Sequence, residues 1–342
     1  MTNVLAADSA AHDAATAATQ RLRRRRLLLG GIAVSFVLLF VASLSIGGYD
    51  ITLEKLLHDP EARAMFFISR IPRTLALCFA GVAMCVSGVI MQVVTQNKFV
   101  EPTTAGTTQW AGLGILIGLI FFPAATPLLK MVIATGFAFV GTMVFIGVIR
   151  GIKHKGSVLV PLVGIMLGAV VGAATLLLAS ENDLLQSMST WRSGGFSSVV
   201  RGFYEPLWAV AIIAIGAWFL ADRLTIIGLG KDFATNVGVH YERVVLLGVT
   251  MVALAAGVTS VVVGFIPFLG LIVPNLISMS LGDDARRNLP WVALTGASLL
   301  MACDIVGRLV VAPMEIPASV ILGVIGAVVF IGIMLRQRKN HG

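Results

Sequence analysis

Long uncharged apolar runs, separated by short polar intervals, dominate the chain. Ten stand out, over residues 27–46, 74–95, 104–129, 131–149, 158–180, 207–221, 244–263, 264–281, 290–312 and 316–335. A bilayer core about 30 Å thick needs roughly 20 apolar residues in a helix. The pattern therefore predicts an all-α polytopic membrane protein with about ten transmembrane helices. The second run, Thr74 to Thr95, carries no charge. Pro123 and Pro127 predict that the third helix stops before its apolar run does, because proline lacks the N–H and clashes with the preceding turn. The seventh and eighth runs are nearly continuous, and Gly264-Phe265-Ile266-Pro267 marks the expected break. The sixth run is short, so its helix is expected to extend back over Phe203–Pro206.

Composition sharpens this picture. The chain is 57% hydrophobic and only 12% charged, where soluble domains carry about 25% charged residues. Cys78, Cys85 and Cys303 lie inside apolar runs without metal-ligand spacing, which argues for packing rather than a zinc module or disulfide framework. The net charge of +8 is spread between apolar segments, a pattern explained by topology and not by nucleic acid. If both termini are cytoplasmic, 17 of the 25 basic residues fall inside, as the positive-inside bias requires. Residues 1–26 read as a disordered basic cytoplasmic tail, 27–335 as the transmembrane domain, and 336–342 as a second cytoplasmic tail. Arg23 to Arg26 ahead of the first run resemble a secretory signal. The run is too long and lacks a cleavage site, so it reads as a retained helix whose arginines meet lipid headgroups.

Chemistry is sparse. No phosphate-binding loop is present: Gly228-Leu229-Gly230-Lys231-Asp232 lacks its spacing and hydroxyl. There is no metal cluster, nucleophile–base pair or cofactor fingerprint, so the chain is not expected to be an enzyme or to bind a cofactor. Ion-coupled pumps place carboxylates at membrane depth. Within the expected helices Asp304 stands out, and Arg308 follows four residues on, where a structural ion pair competes with a proton-relay role. A polytopic protein without its own energy source is a channel, a receptor or the membrane half of a transporter powered elsewhere.

Several strings, taken in order, resemble the membrane subunits of bacterial ABC importers for iron-siderophores, haem and vitamin B12. They are Ser69-Arg70-Ile71-Pro72-Arg73; Ser87 to Gln92 continuing through Thr95 to Pro102; Leu229 to Val239; Gly264 to Pro274; Gly282 to Pro290; and Asp304 to Arg308 with Glu315-Ile316-Pro317. Gln96, Lys98 and Asn275 replace residues more usual in the family, and the region near Ala327 lacks a proline often seen there. These departures resemble one member of the paired permeases that handle catecholate-type siderophores.

The resemblance implies an inverted repeat of segments 2–5 and 7–10, and a type II importer permease. It implies a second permease, which the departures make a paralogue in a heterodimer. It further implies two separate ATPases using ATP-Mg, and a periplasmic or lipid-anchored solute-binding protein. The resemblance also implies a bacterial cytoplasmic membrane as the location and an iron-siderophore as the cargo. An ion-coupled secondary transporter is the alternative, and a polytopic sensor or scaffold a third reading. In the polar interval 221–243, Asp232 is placed to cap a short helix starting near Phe233, and Gly238 to end it. Phe233, Val237 and Tyr241 share helical spacing. With Lys231 they read as an ATPase-coupling element, or else as an ordinary loop. Arg70, Arg73 and Arg308 are expected to dock the binding protein through carboxylate pairs, or to snorkel at the interface. Gln92, Asn97, Pro102, Thr103, Pro267, Pro274 and Asn275 are expected near a gate. Trp191 is expected at the outer gate, or as an interfacial anchor.

Overall fold

The computed structural model describes residues 2–47, 53–152, 156, 158–312 and 314–340. Every described element is helical. In chain order these are α1 (Thr2–Ser45), α2 (Leu53–His58), α3 (Pro60–Met65), a π-turn (Phe66–Arg70), α4 (Ile71–Thr95), α5 (Thr107–Phe121), α6 (Pro127–Gly151) and α7 (Leu159–Glu181). Then come α8 (Leu185–Ser193), a 3₁₀ turn (Glu205–Leu207), α9 (Trp208–Gly228), α10 (Lys231–Asn236), α11 (Tyr241–Val262), α12 (Leu269–Leu281), α13 (Ala285–Val310) and α14 (Ala318–Asn340). Among the described residues, seven helices (α1, α4, α6, α7, α9, α11 and α13) are long and apolar enough to cross a bilayer, while α5, α12 and α14 carry shorter apolar stretches. Seven and three recover the ten expected segments.

The bundle is built around α4, which packs against α13, α9, α11 and α12. Small residues make this close packing possible. A Cβ on Gly81 would lie 2.7 Å from the backbone of Ala297 in α13, and one on Gly88 would overlap the Gly270 carbonyl of α12. Such contacts let helices approach backbone to backbone where lipid supplies no hydrophobic drive. By contrast α1 leans on α13 and leaves Val34, Val37, Leu38 and Val41 exposed toward the surroundings. Two large cores follow from this layout, beside two small ones. One joins Leu77, Ala80 and Met84 of α4 to Val273 of α12 and Leu300 of α13. The other joins Ile90 and Met91 to Phe145, Leu224 and Val249.

The same motif occurs twice. A long helix (α4 or α11) is followed by a non-helical segment (96–106 or 263–268) and a half-length helix (α5 or α12). The two long helices run oppositely: α4 ends at Gln96 beside Gly230, close to where α11 begins. Both half-helices start from a left-handed residue, Gly106 at φ 84° and Phe268 at φ 62°.

Several expectations shift. The sixth helix grows forward to Gly228, because Leu224, Ile226 and Ile227 continue the apolar face past Asp222 and Arg223, while the 3₁₀ turn Glu205–Leu207 leads into it and supplies part of the expected backward extension. The polar interval therefore shrinks to 229–240. The stretch expected as a disordered tail is helical from Thr2, consistent with its alanine-rich composition. Gly230, not Asp232, precedes α10, and Asp232 lies in its first turn. The expected inside charges Lys153 and Lys155, and the side chains of Arg21, Arg24, Arg336, Arg338 and Lys339, lie outside the described residues.

Candidate functional site

The non-helical segment 96–106 folds back into the bundle from the α10 end. Backbone polar groups at such depth need partners from the protein, and the segment's own side chains supply them. Asn97 Oδ1 accepts from the Phe99 amide at 2.9 Å, and the Thr104 hydroxyl accepts from the Glu101 amide at 2.9 Å. Glu101 is completely buried. Its Oε1 accepts from the Phe268 amide at 2.8 Å and from the Thr103 hydroxyl. Its Oε2 faces the Gly270 and Leu271 amides without the geometry of a full hydrogen bond. The carboxylate thus sits over the N-terminus of α12, where free N–H groups and the helix dipole favour negative charge.

The first turns of α12 explain three more residues. Pro274 has no N–H, so the Gly270 carbonyl loses its helical donor. Gln92 of α4 fills the gap, donating from Nε2 to that oxygen at 3.3 Å. Asn275 donates from Nδ2 to the Leu271 carbonyl and to the Lys98 carbonyl, each at 2.7 Å. At the far end of α12, Lys98 Nζ lies 3.1 Å from Asp283, which also accepts from the Ser278 hydroxyl. Partial burial alone would raise the Asp283 carboxyl, but Ser278 and Lys98 outweigh it and hold the group below its ordinary range.

The second segment, 263–268, is shorter and apolar, and takes its bonds from elsewhere. Trp191 of α8 packs its ring where a Gly112 Cβ would be, 2.5 Å away, and donates from Nε1 to the Ser260 carbonyl at 2.8 Å. The Trp191 carbonyl accepts from the Phe265 amide at 3.3 Å, and the Val263 carbonyl from the Gly195 amide at 3.1 Å. Pro267 lies within this segment. The structure therefore gathers Gln92, Asn97, Pro102, Thr103, Pro274 and Asn275 around one crossing, and places Pro267 and Trp191 on its other side. Glu101 escaped the sequence reading because it falls just before the third apolar run. The signal was there: an acid beside a proline between two apolar runs.

At the α10 end, Leu229, Phe233 and Val237 are exposed while Tyr241 is half-buried. The expected apolar knob thus keeps Phe233 and Val237, gains Leu229 and turns Tyr241 inward. Gly230 and Gly238, at φ 113° and 85°, bracket the helix with turns that side chains resist. Glu242 joins this element to α6, lying 3.1 Å from Lys231 and 2.8 Å from Arg150. Arg286 pairs with Asp222 and stacks on Trp218.

At the opposite end the three arginines point into the protein. Arg70 donates to the Leu44 and Ser45 carbonyls at 3.2 and 2.9 Å, and Arg308 to the Ser43 hydroxyl at 3.2 Å. Both are 7% exposed. Arg73 bridges Asp304 at 2.8 Å and Glu315 at 2.9 Å, and Arg308 lies 2.8 Å from Asp304. Asp304 is thus a structural ion pair's centre, held by two arginines. Removing one member of such a buried set typically costs about 3–5 kcal/mol. Among the described residues no cluster of His, Cys, Asp and Glu is arranged to hold a metal.

Ten apolar helices among the described residues, a half-helix whose N-terminus takes a buried carboxylate from the segment before the other, and a short helix flanked by exposed apolar side chains at one end are the architecture of a transporter's membrane subunit. Residues 35–336 match the FecCD transport family, and the chain belongs to it. It is 46% identical over 303 residues to the petrobactin import system permease protein FatD of Bacillus anthracis, covering 89% of each chain. It is 40% identical to the petrobactin import system permease protein YclN of Bacillus subtilis, covering 89% of this chain and 97% of that one. The ferric-anguibactin transport system permease protein of Vibrio anguillarum is 38% identical, with 90% and 98% covered. Among solved structures, a chain described as an inward-facing ABC transporter of the metal-chelate type superposes with a TM-score of 0.76 at 25% identity, covering 91% of this chain and 99% of that one.

Proposed function

We propose that the chain is the membrane-spanning permease of an ATP-driven importer that carries an iron-siderophore, of catecholate type, across a bacterial cytoplasmic membrane. The observation that supports this best is the near full-length similarity to permeases named for petrobactin and anguibactin import. In this reading both termini and α10 are cytoplasmic. Two ATPase subunits, which use ATP-Mg, dock on Leu229, Phe233 and Val237, because exposed apolar side chains on a short polar-flanked helix suit a partner groove. A paralogous permease completes a heterodimer. A solute-binding protein docks at the end carrying Arg73 and Glu315, the accessible rim of the ion network, while Arg70 and Arg308 support that rim from beneath. The cargo needs no dense set of ligands here, because the binding protein supplies selectivity.

The experiment is uptake of radio-iron-loaded catecholate and hydroxamate siderophores and haem by cells with and without this chain. Loss of catecholate uptake alone, persisting need for ATP, and tolerance of a collapsed proton gradient are expected. Uptake by vesicles lacking any ATPase, driven by an ion gradient, would overturn the reading in favour of secondary transport.

A further inference from the structure

A half-helix inside a bundle can shift against the segments beside it, unless something ties them. The segment 96–106 is tied to α12 at three heights. Glu101 holds the first turn through Phe268 and the amides beyond it, Asn275 holds the second turn to the Lys98 carbonyl, and Lys98 meets Ser278 and Asp283 at the far end. With a rise of about 1.5 Å per residue these ties span roughly 20 Å, two-thirds of a bilayer core. The far end opens into a cavity shared with Gly228 and Leu229, the turn that leads into α10. The near end lies at the crossing with segment 263–268. Glu101 forms no ion pair among the described residues. A carboxylate buried at this depth is expensive, and the α12 N-terminus is what offsets the charge.

We infer that segment 96–106 and α12 move as one rigid strut running from the α10 end to the middle of the bundle, and that Glu101 is the positioning residue that fastens its inner end. The inference rests on the importer reading for its transport and nucleotide readouts. A peripheral loop would need no buried charge at its tip. A strut that carries displacement from one end of the bundle to its centre needs a directional, desolvated joint there, because such joints resist sliding where apolar contacts do not.

The test uses the assembled transporter, this chain with its co-purifying subunits, in proteoliposomes. The native Cys78, Cys85 and Cys303 are replaced, and spin labels are placed through Gln96→Cys and Met279→Cys, exposed positions that take no part in the ties. One narrow inter-label distance, the same with and without ATP, is expected. A distance that changes with nucleotide overturns the inference whatever the cargo proves to be. Glu101→Ala should broaden that distance and lower ATP-dependent uptake of radio-iron petrobactin by about tenfold or more, as leaving buried donors unsatisfied implies, while ATP hydrolysis continues. Glu101→Asp should restore part of both. If the alanine variant does not assemble, Glu101→Gln replaces it, since the amide keeps one acceptor but sets an NH₂ against the α12 amides. A labelled distance and uptake equal to wild type in these variants would reduce Glu101 to an incidental contact. Absence of uptake by the wild-type complex counts against the proposed function alone, and the width of the labelled distance in Glu101→Ala against wild type still decides the strut.

Discussion

The two segments that precede the half-helices occupy equivalent places in the repeat and are built on opposite principles. The first, 96–106, satisfies its backbone with its own Asn97 and Thr104, steadies Glu101 with the Thr103 hydroxyl, and reaches across to α12 with Glu101 and Lys98. The second, 263–268, has no charged side chain and hangs from Trp191, Gly195 and Glu101. A duplicated topology therefore does not imply duplicated chemistry. One copy has become the polar anchor and the other a dependent, and the bond between them runs in one direction.

The contact both copies share is the most vulnerable. Gly88→Val would drive a side chain into the Gly270 carbonyl, and overpacking of this kind costs about 1–3 kcal/mol or more. Backbone offers little give here, so the upper end is expected: loss of the monodisperse peak on detergent size-exclusion chromatography. A normal peak would show that α4 and α12 are free to part. Trp191→Ala should come next and act selectively. It removes the ring over Gly112 and the donor to Ser260, worth about 2–4 kcal/mol for a large, partly buried aromatic. Hydrogen exchange should rise across 263–268 and stay low in 96–106, and equal acceleration in both would erase the distinction between anchor and dependent. The smallest effect belongs to the Lys98–Asp283 pair. Folding holds the Asp283 carboxyl below its ordinary range, so its contribution is full above that range and fades as pH falls through the folded value. The pair is well exposed, so that contribution is about 0–1 kcal/mol after screening. Asp283→Asn should therefore flatten a slight acid-side fall in thermal stability and leave neutral stability nearly unchanged.

Most of the helix layout was legible because lipid demands long apolar runs, and proline and glycine punctuate them clearly. The break at 264–267 and the early stop at Phe121 followed from that chemistry. The forward extension of α9 was obscured by Asp222 and Arg223, charges that a helix end carries easily once Arg286 pairs with one of them. The site was half legible. Polar groups near a gate were visible as types, but the role of Gln92 depends on a carbonyl freed by Pro274, a tertiary fact. The three arginines were visible as outer charges. That they turn inward depends on the carbonyls ending α1, on Asp304 and on Glu315, none adjacent to them in sequence apart from the Asp304–Arg308 spacing.

The helix α10 carries a last consequence for the life of the chain in a cell. Leu229, Phe233 and Val237 stand outward beside the Lys231–Glu242 ion pair. Exposed apolar clusters of this kind are what chaperones and quality-control proteases read as unfinished protein, and small differences in exposure change abundance several-fold. In the importer proposed above, a copy made in excess of its partners would therefore advertise its own solitude, and subunit stoichiometry would be policed by the same side chains that the proposed docking covers.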